Sequence, residues 1–231
     1  MIYILLSFIF GAFIPYMARR FSKFMPATMA YALYRLIAPT KKVSKQKRQS
    51  NGRYLALMQK YMMRSVGWAV VSSALAATAH FCLPSAFYII LILGLLLLYE
   101  IDERMFLLPD LLTVPLLIIG FLFASTQETL STLSPFSPAF QSAVGALAGY
   151  MLPVIASLVI VKKHPEAFGG GDIKLLSAVG AWIGFEYIPA LLLLSSLLFG
   201  LFCFIKHERA GAFGPSIVIA TLVLVFFIHL V

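Results

Sequence analysis

At 231 residues the chain is 61% hydrophobic and only 12% charged, with a mean hydropathy of +0.94. A soluble domain of this length has too little interior to hide that much apolar surface, so lipid must be the solvent for much of it. The net charge of +9 raises the question of a nucleic-acid partner, but the placement of the 18 Lys and Arg residues gives the charge a membrane meaning instead.

Apolar runs predict spans near 1–18, 65–82, 85–101, 111–125, 137–161, 173–185, 187–205 and 213–231. The expected fold is therefore all-α, a polytopic membrane protein with about eight transmembrane helices. Continuous runs without alternation argue against a β-barrel. The first span has no basic residue ahead of it, Arg19 and Arg20 follow it, and no small-residue cleavage site precedes them. It is expected to remain as a span with its N-terminus outside, not to be removed as a signal peptide.

A basic loop follows. Twelve of the 18 Lys and Arg fall between Arg19 and Arg64, many of them in "KKVSKQKRQSNGR". Beside anionic lipid such a loop lies against the membrane surface, and RNA or DNA is not the expected partner. Within it, 36–53 reads as a linker, and "ATMAYALYRLI" fits a short helix lying on the membrane. The other six basic residues are Arg104, Lys162, Lys163, Lys174, Lys206 and Arg209, all beside gaps on the same side. The opposite gaps, such as "HFCLPS" and "TQETLSTLSPFSP", have none. The basic side is thus the cytoplasm, with both termini outside. Two parts are expected: 1–64, the first span and basic loop, and 65–231, a transmembrane core. Cys82 and Cys203 fall near opposite faces on this map, so no disulfide is expected. No CxxC occurs, the four histidines are scattered, and no metal site is expected.

The nine carboxylates are placed unevenly. Glu100, Asp102, Glu103 and Asp110 cluster in "LLLLYEIDERMFLLPDLLTVPLL", and Glu166 and Asp172 flank the glycines of "EAFGGGDIKLLSAVGAWIG". Asp102 closes one span and Asp172 opens another at the same cytoplasmic depth, 70 residues later. Each has a structural reading: Asp172 as the N-cap of its helix, Asp102 as an interfacial charge paired with Arg104 or solvated by headgroups, and Asp110 as the cap of the next span. The glycines lack a following GK[ST] and a preceding strand, which argues against a phosphate loop. Taken jointly, two Asp in separate helices at one depth suit a water-activating pair that shares one proton. Gly169, Gly170 and Gly171 would let a substrate backbone approach Asp172 closely.

At these residues the chain resembles the type IV prepilin peptidases, the GxGD class of intramembrane aspartic proteases. The resemblance rests on "IDERMFLLPDLLTVPLL", on "GGGDIKLLSAVGAWIG", and on a late "AFGP" at 212–215 that looks like the family's last cytoplasmic turn. It implies that Asp102 and Asp172 are the catalytic aspartates. Asp110 matches an accessory motif position and Lys174 a motif position without a firm role. It further implies that the substrates are prepilins or pseudopilins in a bacterial cytoplasmic membrane, whose basic leader is removed at the cytoplasmic face. One departure stands out. Bifunctional members carry paired CxxC motifs for zinc after the first span and methylate the new N-terminus with S-adenosylmethionine. Here that loop has no cysteine and the first span ends "GAFIPYMARR". The expectation is therefore proteolysis without a cofactor, no zinc, and weak or absent methylation. The rival readings are a preflagellin-type or other GxGD peptidase, an ion-coupled transporter, and a non-catalytic assembly factor.

Overall fold

The computed structural model describes residues 2–24, 52–83, 85–127, 135–160, 169–207 and 211–230. Among these the regular structure is helical: α1 (Ile2–Phe24), α2 (Gly52–Cys82), α3 (Phe87–Met105), α4 (Asp110–Ser125), α5 (Pro138–Ile160), α6 (Gly170–Ile183), a 3-10 turn (Phe185–Tyr187), α7 (Ile188–Lys206) and α8 (Gly214–Leu230). Each expected span falls on one of these helices. The chain is an all-α polytopic membrane protein. Four segments, 2–21, 59–82, 138–158 and 185–206, are long and apolar enough to cross a membrane, and α4 and α8 are shorter apolar helices. The expected surface helix at 27–37 lies outside the described residues, as does most of the 36–53 linker, whose last two positions open α2. One uninterrupted helix thus runs across residue 64.

The two helices that carry the paired aspartates are, with α8, the most enclosed ones. On α3, Leu91, Ile92, Leu95, Leu98 and Ile101 are fully buried, and on α6 every residue from Leu175 to Ile183 is buried. By contrast α1, α2 and α7 present large apolar side chains outward, among them Leu5, Val66, Leu193 and Leu197, as helices bathed in lipid do. α6 can be so enclosed because its neighbour comes very close. Gly145 and Gly149 of α5 face the backbone at Gly180 and Leu176, and a Cβ at either position would overlap a carbonyl oxygen. Small residues that bring backbones together are what drive helix association where no hydrophobic effect operates between helices. Two hydroxyls reinforce this seam: Ser142 donates to the Ala181 carbonyl at 2.8 Å and Ser177 to that of Ala146 at 2.9 Å. On the other side of α6, the Trp182 indole N–H donates to the Leu116 carbonyl of α4 at 2.9 Å.

Candidate active site

Asp102 sits in the last turn of α3, where the apolar run ends. The helix stops at Phe106, which adopts a left-handed conformation (φ 53°) and returns its N–H to the Asp102 carbonyl at 2.9 Å. An aromatic residue rarely holds this conformation, which costs of order 1–2 kcal/mol. The reversal sends Leu107 to Pro109 back across the end of α3 and delivers Pro109 as the N-cap of α4. Asp110 is therefore not the cap of that helix. It is its first residue, and its two carboxylate oxygens both accept from Lys174 Nζ at 2.7 Å, which gives that lysine a partner.

Asp172 is not an N-cap either. Gly169 occupies the cap position with an extended backbone (φ −67°, ψ 140°), α6 begins at Gly170, and Asp172 stands in the first turn. A carboxylate there still profits from the unpaired N–H groups of the helix start. None of Gly169, Gly170 and Gly171 has a left-handed backbone. Space accounts for them instead: a Cβ on Gly171 would stand 2.9 Å from Leu108 Cβ, one on Gly169 would stand 3.0 Å from Asp172 Oδ2, and one on Gly170 would meet nothing. Gly171 thus packs the helix start against the Phe106–Pro109 reversal, and of the three only Gly170 faces open space.

Both aspartates line one cleft of about 560 Å³, together with Phe21, the Phe106–Leu111 segment, Gly169 to Gly171 and Lys174. All seven side chains or glycines singled out in the sequence, Asp102, Asp110, Gly169, Gly170, Gly171, Asp172 and Lys174, meet there. Asp102 is buried and Asp172 half-buried. Both lie outside the candidate spans. Burial pushes the Asp102 carboxyl up to about 6, opposed by a hydrogen bond from the Gly214 backbone. Burial, and then the negative charge of Asp102, push Asp172 up to about 7, opposed by a backbone hydrogen bond from Gly169. The environment thus holds two carboxyls near neutrality, where one can be ionised while the other keeps its proton.

Two contributors were not legible as site residues. The Gly214 N–H donates to Asp102 Oδ2 at 2.9 Å from 112 residues away. Gly214 opens α8, where N–H groups have no partner within the helix, and Pro215 behind it has none to offer. The "AFGP" resemblance was the signal for this turn, without its purpose. Phe21, near the end of α1, lines the cleft while only 3% exposed, and nothing in its local sequence marks it. The pairing with Arg104 that offered one structural reading of Asp102 is not made. Arg104 instead holds Glu100, with its Nε 2.8 Å from Glu100 Oε1. Among the described residues no cluster of three or more His, Cys, Asp or Glu could hold a metal ion, and Cys82 and Cys203 are both free.

The sequence model of the type IV leader peptidase family matches residues 89–205, half of the chain. The chain belongs to that family. The matched region contains Asp102, Asp110, Asp172 and Lys174 and leaves out Phe21 and Gly214. Similar relatives include the prepilin leader peptidase/N-methyltransferases of Vibrio cholerae (32% identical, covering 58% of this chain and 52% of the relative), Dickeya chrysanthemi (39%, covering 53% and 44%) and Aeromonas salmonicida (40%, covering 52% and 42%). This family member spans about half the length of the curated relatives it matches. No solved structure matches it.

Proposed function

We propose that this family member is an intramembrane aspartic endopeptidase that removes the basic leader from type IV prepilins or pseudopilins. The observation that carries the reading is one cleft in which two carboxyls, delivered by separate helices, are each raised toward neutrality and each touched by a backbone N–H. With one proton between them, the ionised carboxylate takes a proton from water as the oxygen attacks the scissile carbonyl carbon. The protonated partner donates to the carbonyl oxygen. Collapse of the tetrahedral species then breaks the C–N bond, and a carboxyl proton passes to the leaving amine. No cofactor enters these steps. Gly170 leaves room for the substrate backbone, and Gly169, Gly171 and the Asp110–Lys174 pair shape the rim.

The cleft lies where α3 ends and α6 begins, with Lys174 on its rim. By the charge rule the basic side faces the cytoplasm, and the family supports a bacterial inner membrane as the location. Residues 65–231 form the peptidase core, and α1 adds Phe21 to its cleft. An ion-coupled transporter gains no support from acids that sit at helix ends, because such proteins hold them on broken helices at mid-depth.

Co-expression with a type IV prepilin, followed by mass analysis of its N-terminus, tests the assignment. Asp102→Asn and Asp172→Asn should each abolish cleavage with little loss of protein, since an amide can neither act as base nor share the proton. Asp110→Asn should keep most activity, because its ion pair is half-exposed and worth at most about 1 kcal/mol. Normal cutting by the Asp102 variant would refute the pair.

A further inference from the structure

Glu100 is fully buried at the cytoplasmic end of α3, and every donor it meets is a strong one. Arg64 Nη2 reaches its Oε2 at 2.8 Å and the Trp68 indole N–H reaches the same oxygen at 2.9 Å, while Arg104 holds Oε1 through both Nε and Nη2. Arg64 also bridges to Glu103 at 2.8 Å, so two cations and two anions balance. Arg64 and Trp68 are four residues apart on α2, one turn, and therefore present a common face to α3. Glu100 and Asp102 are two residues apart, about 200° around the helix, and so point to opposite sides of α3. One side is gripped by α2 through Glu100; the other is gripped by the start of α8 through Asp102 and Gly214.

We propose that Glu100 is a positioning residue for the aspartate pair, clamping α3 to α2 so that the rotation of its last turn, and with it the place of Asp102, is fixed. This rests on the peptidase reading above. The position of the clamp supports the role. It closes on Glu100, Glu103 and Arg104, on either side of Asp102 along the chain, and a helix can swivel there most easily, because past Met105 the chain reverses in a strained turn. It also recruits Arg64 and Trp68, which lie outside the family-matched region, as does Phe21. The N-terminal helices thereby become part of the catalytic unit and not only an anchor. A buried carboxylate is costly unless fully paired, so its retention in an otherwise apolar helix calls for such a use.

The test uses the purified full chain in detergent with a prepilin substrate, and reads kcat and KM per folded molecule. Glu100→Gln keeps the size of the side chain but turns an amide toward Arg64 and Arg104. It is expected to lower kcat about tenfold to a hundredfold, the scale of a misplaced catalytic group, with KM changed less than about threefold. Combining it with Arg64→Met should give no further loss, because both changes open the same clamp. Trp68→Phe, which keeps an aromatic ring and removes one N–H, should lower kcat about threefold to tenfold, again without moving KM. If Glu100→Gln does not yield folded protein, Trp68→Phe decides. Unchanged kcat per folded molecule, a change confined to KM, or independent losses in the double variant would overturn the clamp. An active Asp102→Asn protein would instead overturn the peptidase reading beneath it, so the two failures are distinguishable.

Discussion

At Gly214 a single hydrogen atom separates a donor from a clash. Its N–H serves Asp102, and a methyl in place of one Cα hydrogen would stand 2.5 Å from Asp102 Oδ2 and 2.9 Å from its Cγ. The backbone there is ordinary, so Gly214→Ala should fold, but with the carboxylate pushed aside. The expected result is a drop of about tenfold to a hundredfold in kcat/KM with near-normal thermal stability, measured side by side on the purified variant. The two carboxyls also set the pH range. Below about 6 both carry protons and no base is left; above about 7 both are ionised and no proton donor is left. A bell-shaped profile of kcat/KM follows, its maximum between these limits and its two apparent values belonging to the pair. A profile that stayed flat from pH 5 to 9 would contradict this reading.

Among elements, the seam between α5 and α6 carries the position of Asp172. Gly145 allows no side chain, because a Cβ would overlap the Gly180 backbone, which cannot swing away as a side chain can. Gly145→Ala is therefore expected to destabilise the protein by about 1–3 kcal/mol and to reduce cleavage as α6 shifts. Denaturation in detergent and an activity assay read the two effects. Helix existence was legible at this scale because apolar runs of span length have few other outcomes in a chain this oily. Helix starts were less legible. The sequence suggested caps at Asp172 and Asp110, yet α6 begins at Gly170, two residues before Asp172, and α4 is capped by Pro109, whose fixed φ suits a helix entrance. Which apolar helix would be innermost was also hidden, since lipid-facing and protein-facing stripes look alike in composition. The glycines at 145, 149 and 180 mark the close seam between α5 and α6.

For the whole molecule, the paired aspartates were readable because their motifs are local, each contained in fewer than twenty consecutive residues. Glu100's contact with Arg64 and Gly214's role were not, because those contacts span 36 and 112 residues and depend on how helices pack. The relatives' names combine peptidase and N-methyltransferase, whereas this chain has no cysteine between Arg19 and Arg64 to bind a structural zinc. Cleavage without methylation is the expected behaviour. Incubating the purified protein with prepilin and labelled S-adenosylmethionine should give a shortened product that carries little or no label. Stoichiometric label on the new N-terminus would reverse that expectation while leaving the peptidase reading intact. The grip of α8 on Asp102 also has a bearing on biogenesis. Synthesis reaches Asp102 and Asp172 long before Gly214, so a growing chain contains both acids well before the donor that steadies the first of them. The cleft takes its final form only once α8 has been made, and until then Asp102 lacks the backbone donor that steadies it.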